Sequence, residues 1–319
     1  MPAHLIFGAG GVGHTKDSFT FTWDTPEKVS ELLSSLKRLN LAELDSAAVY
    51  PPGNPGHTEI LLGQAKAVDL GFTIDSKVFI REPGKSLTDA NISSSIDNTL
   101  ASIETDHVRT LYAHFPDSGT PLEATAAAFD KQYNAGKYKQ LGLSNFSYED
   151  VVKYFQICEE KGYIKPSVYQ GHYNALARSD EKDLIPFLRK HNCVYNAYSP
   201  VAGGFLTGKV TFGDNLYRTR WRDQSAMDQY VSQYDRPAMH DAIRKLKAAC
   251  DSTSPPLTLQ EAALRWIVNH SALGDGDGVI VGAKRVDQLE SNVKDARAGP
   301  LPEHVRETIE GLWSEVDMD

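Results

Sequence analysis

Cysteine is scarce in this chain: three in 319 residues, Cys158, Cys193 and Cys250. An odd number at wide spacings suits neither a disulfide framework nor a metal cluster, so no metal centre is expected. All three read as buried thiols of a reducing compartment. Positive charge is short as well. The 33 Lys and Arg against 42 Asp and Glu leave a net charge of −9. That excludes a nucleic-acid surface, which needs a basic stripe, though not a local basic pocket for one phosphate. No apolar run approaches the roughly 18 residues of a membrane span. The opening Met-Pro-Ala-His lacks the basic-then-apolar pattern of a secretion signal. A soluble cytoplasmic protein is expected, with no membrane or nucleic-acid partner.

What is present is alternation. Short apolar runs at 5–7, 41–47, 72–77, 108–115, 138–143, 166–170, 193–198 and 278–281 read as strands. Helical patterns lie between them, at about 25–40, 57–70, 87–103, 121–135, 147 onward and 181–191. Further ones follow at 237–250, 258–270, 285–296 and 303–316. Thr25-Pro26 and Thr258-Leu-Gln-Glu261 are helix starts, one with Pro in the first turn and one a capping box. Residues 201–236 show no periodicity and read as a long irregular loop. Repeated strand–helix units imply a parallel sheet. About eight of them, with no Pro/Ser-rich linker, suit a (β/α)8 TIM barrel better than an open doubly wound sheet. One domain over 1–319 is expected, with a long loop after strand seven and an extra C-terminal helix.

Gly8-Ala-Gly10-Gly-Val-Gly13 follows a strand and matches G-x-G-x-x-G. A dinucleotide fingerprint must also open a helix whose N-terminus holds the pyrophosphate. His-Thr-Lys-Asp-Ser-Phe follows Gly13, with no helical apolar face, so the segment reads as a loop.

Barrel enzymes place their sites at the C-terminal ends of strands. Those positions carry Asp45 with Tyr50 on the next loop, then Lys77, His114, Ser144-Asn145, Gln170 and Tyr198. A lone Lys or His after a strand is usually a solvated or structural residue, but this set composes one machine. Tyr50 is the candidate acid that protonates a carbonyl oxygen. A free phenol ionises near ~10, and a Lys77 ammonium close by would favour the phenolate. Asp45 would hold Lys77 charged, and His114 would orient the carbonyl. The Pro/Gly-rich loop over 51–56 becomes a pocket wall. Two further stretches suit a nucleotide. Gly282-Ala283-Lys284-Arg285 leads into a helix, whose N-terminus favours an anion. Tyr198-Ser199-Pro200-Val-Ala-Gly203-Gly-Phe-Leu206-Thr-Gly-Lys209 pairs an aromatic for stacking with a small-residue loop that admits a pyrophosphate.

The ordered set resembles the aldo-keto reductase superfamily over nearly the whole chain, nearest its aflatoxin-aldehyde-reductase and succinic-semialdehyde-reductase branch. It is carried by Glu43-Leu-Asp45-Ser-Ala-Ala-Val-Tyr50, Ala113-His114-Phe-Pro-Asp117, Leu141-Gly-Leu-Ser144-Asn145-Phe, Val168-Tyr-Gln170-Gly-His-Tyr-Asn174 and the Tyr198 stretch. The resemblance implies an NADPH-dependent reductase of aldehydes or ketones. Asp45, Tyr50, Lys77 and His114 would be catalytic. Ser144, Asn145 and Gln170 would hold the nicotinamide carboxamide, and Tyr198 would stack on its ring. Gly282, Ala283, Lys284, Arg285, Gln288 and Asn292 would hold the adenosine phosphate. Many members place an Arg near the Gln288 position; here the cations are Lys284 and Arg285. Phe115, Arg218, Arg220 and Trp221 are the candidate substrate contacts. Monomer and homodimer both fit. The alternative is an accessory subunit that keeps the fold and cofactor with little turnover.

Overall fold

Eight short strands carry the fold: β1 (His4–Gly8), β2 (Glu43–Asp45), β3 (Thr73–Lys77), β4 (Val108–Ala113), β5 (Tyr138–Ser144), β6 (Pro166–His172), β7 (Val194–Tyr198) and β8 (Gly278–Val281). In this computed structural model, which describes residues 2–14, 22–213, 221 and 228–316, they pair in chain order and close a barrel. β1 through β6 are parallel neighbours, with Gly8 opposite Asp45, Asp45 opposite Asp75 and Lys77 opposite Tyr112. With Asp45 level with Asp75, β3 runs two residues past the end of β2 to Lys77, whose ammonium meets the Asp45 carboxylate. Parallel strands require crossovers, and helices supply them: α1 (Pro26–Arg38), α2 (His57–Gln64), α3 (Asp89–Ile103), α4 (Leu122–Asn134), α5 (Tyr148–Lys161) and α6 (Leu184–Lys190). The remainder are α7 (Asp228–Tyr234), α8 (Pro237–Asp251), α9 (Leu259–Asn269), α10 (Val286–Ala296) and α11 (Glu303–Val316). None of the described helices is long and apolar enough to cross a membrane.

The helix starts follow their local chemistry. Thr25 caps α1 by accepting the Lys28 N–H, with Pro26 in the first turn. Thr88, Ser147 and Thr258 cap α3, α5 and α9 in the same way. Such a cap contributes about 1 kcal/mol. Along α1, Val29, Leu32, Leu33 and Leu36 are buried on one face. Each contributes roughly 1.5–3 kcal/mol through the water it sheds.

Two boundaries depart from the sequence expectation. The helix expected over 57–70 ends at Gln64, because Lys66 takes a left-handed backbone (φ 56°) that breaks the i to i+4 ladder. The stretch expected to be irregular contains a 3-10 turn, Ala202–Thr207, and α7. Aromatic packing rather than sequence period organises it: the Tyr234 and Phe205 rings stack at 5.6 Å, and Phe205 also meets Trp221.

The described chain forms two compact units. One comprises Ile6–Gly171 and Pro186–Asn196, the other Met1–Leu5, His172–Ile185 and Ala197–Asp319. In the first, the barrel interior is partly polar. Buried Asp75 accepts two bonds from the Arg109 guanidinium (2.8 and 2.6 Å) and one from the Thr110 N–H. Arg109 also reaches Glu43, and the Tyr112 hydroxyl accepts from Asn196.

The glycine motif belongs to this unit and is not a helix start. β1 passes into a 3-10 turn, Ala9–Gly11, and among the described residues the next helix begins at Pro26. The segment is pinned to the loop that carries Tyr50. Thr58 Oγ1 donates to the Val12 carbonyl (2.6 Å), the His14 N–H donates to His57 Nδ1 (3.0 Å), and Asn54 Nδ2 donates to the His14 carbonyl (2.7 Å). Gly13 has φ +122°, and a Cβ there would lie 2.7 Å from the Pro51 ring. Both the backbone and the neighbour require glycine. Gly13→Ala is expected to lower stability by about 1–3 kcal/mol. Thermal unfolding measures this, and a melting temperature equal to the parent's would refute it.

Candidate active site

Four strand ends deliver the central side chains. Asp45 ends β2, Lys77 ends β3, His114 follows β4 directly and Ser144 ends β5. Tyr50 sits on the β2 loop, whose turn is fixed by the Tyr50 N–H donating to the Ala47 carbonyl and the Thr58 N–H to the Tyr50 carbonyl. The Lys77 side chain is fully buried. Its ammonium donates at 2.8 Å to both Asp45 oxygens and at 2.7 Å to the Ser46 carbonyl. Three acceptors match three N–H groups, so the charge is solvated by the protein. Burial is the largest influence and opposes that charge, but Asp45, Tyr50 and Asp75 together outweigh it and hold Lys77 above its ordinary pKa. The Lys77 ammonium lies 5.1 Å from the Tyr50 ring centroid. His114 meets the same ring edge-on at 6.0 Å. Burial first, and then the Lys77 charge, push His114 well below its ordinary pKa. The imidazole is therefore neutral at physiological pH.

Supporting contacts stay within the same unit. Gln170 Nε2 donates to Asp45 Oδ1 at 2.7 Å, so the residue expected at a nicotinamide carboxamide also steadies the Lys77 counter-ion. Asn145, in a left-handed conformation, donates to the His114 carbonyl and to Ser144 Oγ. Asp117 accepts the N–H groups of Gly84 and Leu87 and the Thr120 hydroxyl, tying the loop after β3 to the loop after β4. These loops enclose a cavity of about 110 Å³ lined by His114, Phe115, Phe79 and Arg81 among others. Phe115 stacks on His114 (5.0 Å) and is 42% exposed, so it presents an apolar ring at the cavity.

Sequence reasoning singled out no role for Glu59. It is buried at the start of α2 and accepts from Ser76 Oγ (2.5 Å) and Thr99 Oγ1 (3.0 Å). Its signal was a carboxylate between Thr58 and Leu62 on an otherwise apolar helix face. Burial pushes its carboxyl up to about 6, against the two hydroxyl bonds and the Lys77 charge. A raised native pKa gives stability that is complete below the ordinary 4.5 and lost as pH rises through about 6. The gap between those two values corresponds to about 2 kcal/mol. Glu59→Gln is expected to remove that slope, measured as the parent–variant difference in urea unfolding between pH 4.5 and about 7. A constant difference would refute it.

The other expected positions lie in the second unit. Tyr198 stacks on His172 at 5.2 Å, the rings nearly parallel; burial pushes His172 down to about 4, leaving the ring neutral. Ser199 bonds the Tyr230 hydroxyl, Pro200 is buried and Lys209 is exposed. Gly203 takes φ 62° inside the 3-10 turn. Leu206 is a core residue. Trp221 is buried too, donating to the Gly203 carbonyl, while Arg218 and Arg220 lie outside the described residues. At the β8–α10 junction, Gln288 accepts the Lys284 N–H and Asn292 donates to the Gly282 carbonyl. Ala283 is buried, and a Cβ on Gly282 would meet nothing within 4 Å. Arg285 is exposed and paired with Asp287, and α10 has no side-chain cap on its first N–H groups.

A barrel with this set at its strand ends defines an oxidoreductase acting on carbonyl groups. The chain belongs to the aldo/keto reductase family, whose pattern matches residues 4–314. It is 33% identical over 298 residues to an aldo-keto reductase of Pseudocercospora fijiensis, covering 90% of this chain and 98% of that one. It is 34% identical over 304 residues to aflatoxin B1 aldehyde reductase member 2 of Homo sapiens, covering 91% and 82%. To oxidoreductase sirO of Leptosphaeria maculans it is 32% identical over 322 residues, covering 99% and 95%.

Proposed function

We propose that the protein reduces an aldehyde or ketone to the alcohol, with NADPH as hydride donor and Tyr50 as proton donor. The observation that carries this reading is the buried Lys77 ammonium, locked on Asp45 and set 5.1 Å from the Tyr50 ring.

The residues present suit the cofactor. The uncapped α10 start with Lys284 and Arg285 beside it suits a phosphate. Tyr198 has a planar partner in His172 and the half-exposed position that ring stacking requires. When bound, the nicotinamide supplies the hydride for the carbonyl carbon. Tyr50 gives its phenolic proton to the carbonyl oxygen, and the Lys77 charge stabilises the phenolate left behind. His114 Nδ1 is buried without a hydrogen bond. A buried bare lone pair costs less than a buried unpaired N–H, which puts the imidazole proton on Nε2. A neutral Nε2–H then directs the carbonyl oxygen toward Tyr50 without competing to protonate it.

The test follows the near-ultraviolet absorbance of NADPH with aromatic aldehydes, semialdehydes and quinones, beside NADH. Oxidation that depends on enzyme and carbonyl compound is expected. No oxidation of either nucleotide across the panel would sink the reading. Lys284→Ala with Arg285→Ala is expected to raise KM for NADPH more than for NADH.

A further inference from the structure

Asp117 accepts four hydrogen bonds, none of them from a cation. Oδ1 takes the N–H groups of Gly84 and Gly119, and Oδ2 takes the Leu87 N–H (3.0 Å) and the Thr120 hydroxyl (2.8 Å). The side chain is buried. Burial would raise its pKa, but the Leu87 and Gly84 N–H groups, the Thr120 hydroxyl and the Gly119 N–H hold it below the ordinary value. Two donors lie on the loop after β3 and two on the loop after β4, so one carboxylate joins both. The backbones meet at the same place. A Cβ on Gly119 would lie 2.4 Å from the Gly84 Cα and 2.7 Å from its nitrogen. The φ of Gly119 lies outside the left-handed region, so the Gly84 contact, and not the conformation, requires glycine there.

The β3 loop is held to α3 separately, by the Asn91 amide on the Phe79 and Ser86 carbonyls. Its hold on the β4 loop falls to Asp117. The cavity beside His114 lies between these two loops, with Arg81, Pro83 and Leu87 from one and Phe115, Pro116 and Ser118 from the other. We infer that Asp117 is a positioning residue for the substrate: by clasping the two loops together, it keeps this cavity formed before a carbonyl compound arrives. This rests on the proposed carbonyl reduction and adds what sets its substrate affinity. A wall already in place need not be ordered at binding. A wall formed only part of the time weakens the apparent affinity by that fraction. Asp117 bonds none of Asp45, Tyr50, Lys77 and His114, so the proton step is left alone.

Two variants loosen the clasp by different means. Asp117→Asn keeps the size of the side chain but turns N–H groups toward one pair of donors. Gly119→Ala keeps the carboxylate and forces the two backbones apart, and position 119 does not line the cavity. The substrate is 4-nitrobenzaldehyde, which is uncharged, so the charge lost at 117 does not itself move its KM. With NADPH, KM for the aldehyde is expected to rise about tenfold in each variant. The turnover number and the dissociation constant for NADPH are expected to stay within about threefold of the parent's. That split marks lost substrate binding, which a general weakening of the fold does not produce. Amide hydrogen exchange in the unliganded protein is expected to quicken over 83–88 and 117–120 in both variants. If Asp117→Asn does not fold, Gly119→Ala decides alone. A KM at the parent value in either folded variant would overturn the inference, as would a fall in kcat with KM unchanged. A parent that reduces no carbonyl compound takes the inference down together with the proposed function, whereas an active parent with unchanged variants overturns the inference alone.

Discussion

Tyr50→Phe is expected to lose carbonyl reduction while keeping the fold. The substitution removes one oxygen and leaves the ring that Lys77 and His114 contact. In the proposed reaction, the proton it eliminates is the one the developing alkoxide needs. General acid catalysis contributes about 10²–10⁴ in rate, and water is a poor replacement donor beside a buried ammonium. The expected result is a kcat about a thousandfold lower, with the dissociation constant for NADPH within a factor of two or three. Steady-state rates and quenching of protein fluorescence by the nucleotide separate the two effects. A Tyr50→Phe variant turning over a proven substrate at the parent rate would remove Tyr50 from the chemistry. Parallel loss of nucleotide binding would instead make the phenol part of the binding surface.

Much of this arrangement is legible in the chain because it follows from strand ends. An apolar run that stops at a polar residue marks both the strand and the residue its end displays. Asp45, Lys77, His114 and Ser144 all occupy such positions. The alternation that implies a parallel barrel is equally local, since several helices announce themselves by a cap and an apolar face, as at Thr25 and Thr258. What escaped the sequence depends on partners far along the chain. Glu59 looks like a surface helix residue until Ser76 and Thr99 arrive to bury it. Gln170 reads as a cofactor ligand, and only the structure shows its amide on Asp45, 125 residues away. Residues 8–13 match a phosphate loop, but Gly10 lies beside Tyr50 and Gly13 beneath Pro51. No local pattern encodes those approaches. The ring stacking that orders Phe205, Tyr234 and Trp221 has no period, so the helix it supports reads as loop in the sequence.

The second large effect falls on the ion pair. Lys77→Met preserves length and removes the charge, leaving the Asp45 carboxylate buried with the Gln170 amide still donating to it. An orphaned buried charge lowers stability by about 3–5 kcal/mol. Burying that carboxylate without its counter-ion favours the neutral acid. The defect is therefore smallest in acid and grows toward neutrality, which urea unfolding at several pH values measures. The parent behaves differently, because the raised Lys77 pKa gives stability that is present below 10.5 and lost only as pH climbs through the native value. Adding Asp45→Asn to Lys77→Met removes the stranded charge, and the double variant is expected to recover about 2 kcal/mol or more of the loss. Turnover is not expected to return, because the proposed reaction needs the Lys77 charge to stabilise the Tyr50 phenolate. Recovery of stability without activity separates what the pair does for the fold from what Lys77 does for the proton. Recovery of both would mean that Asp45 alone, and not the ammonium, had been the obstacle, and would strip Lys77 of its part in the reaction.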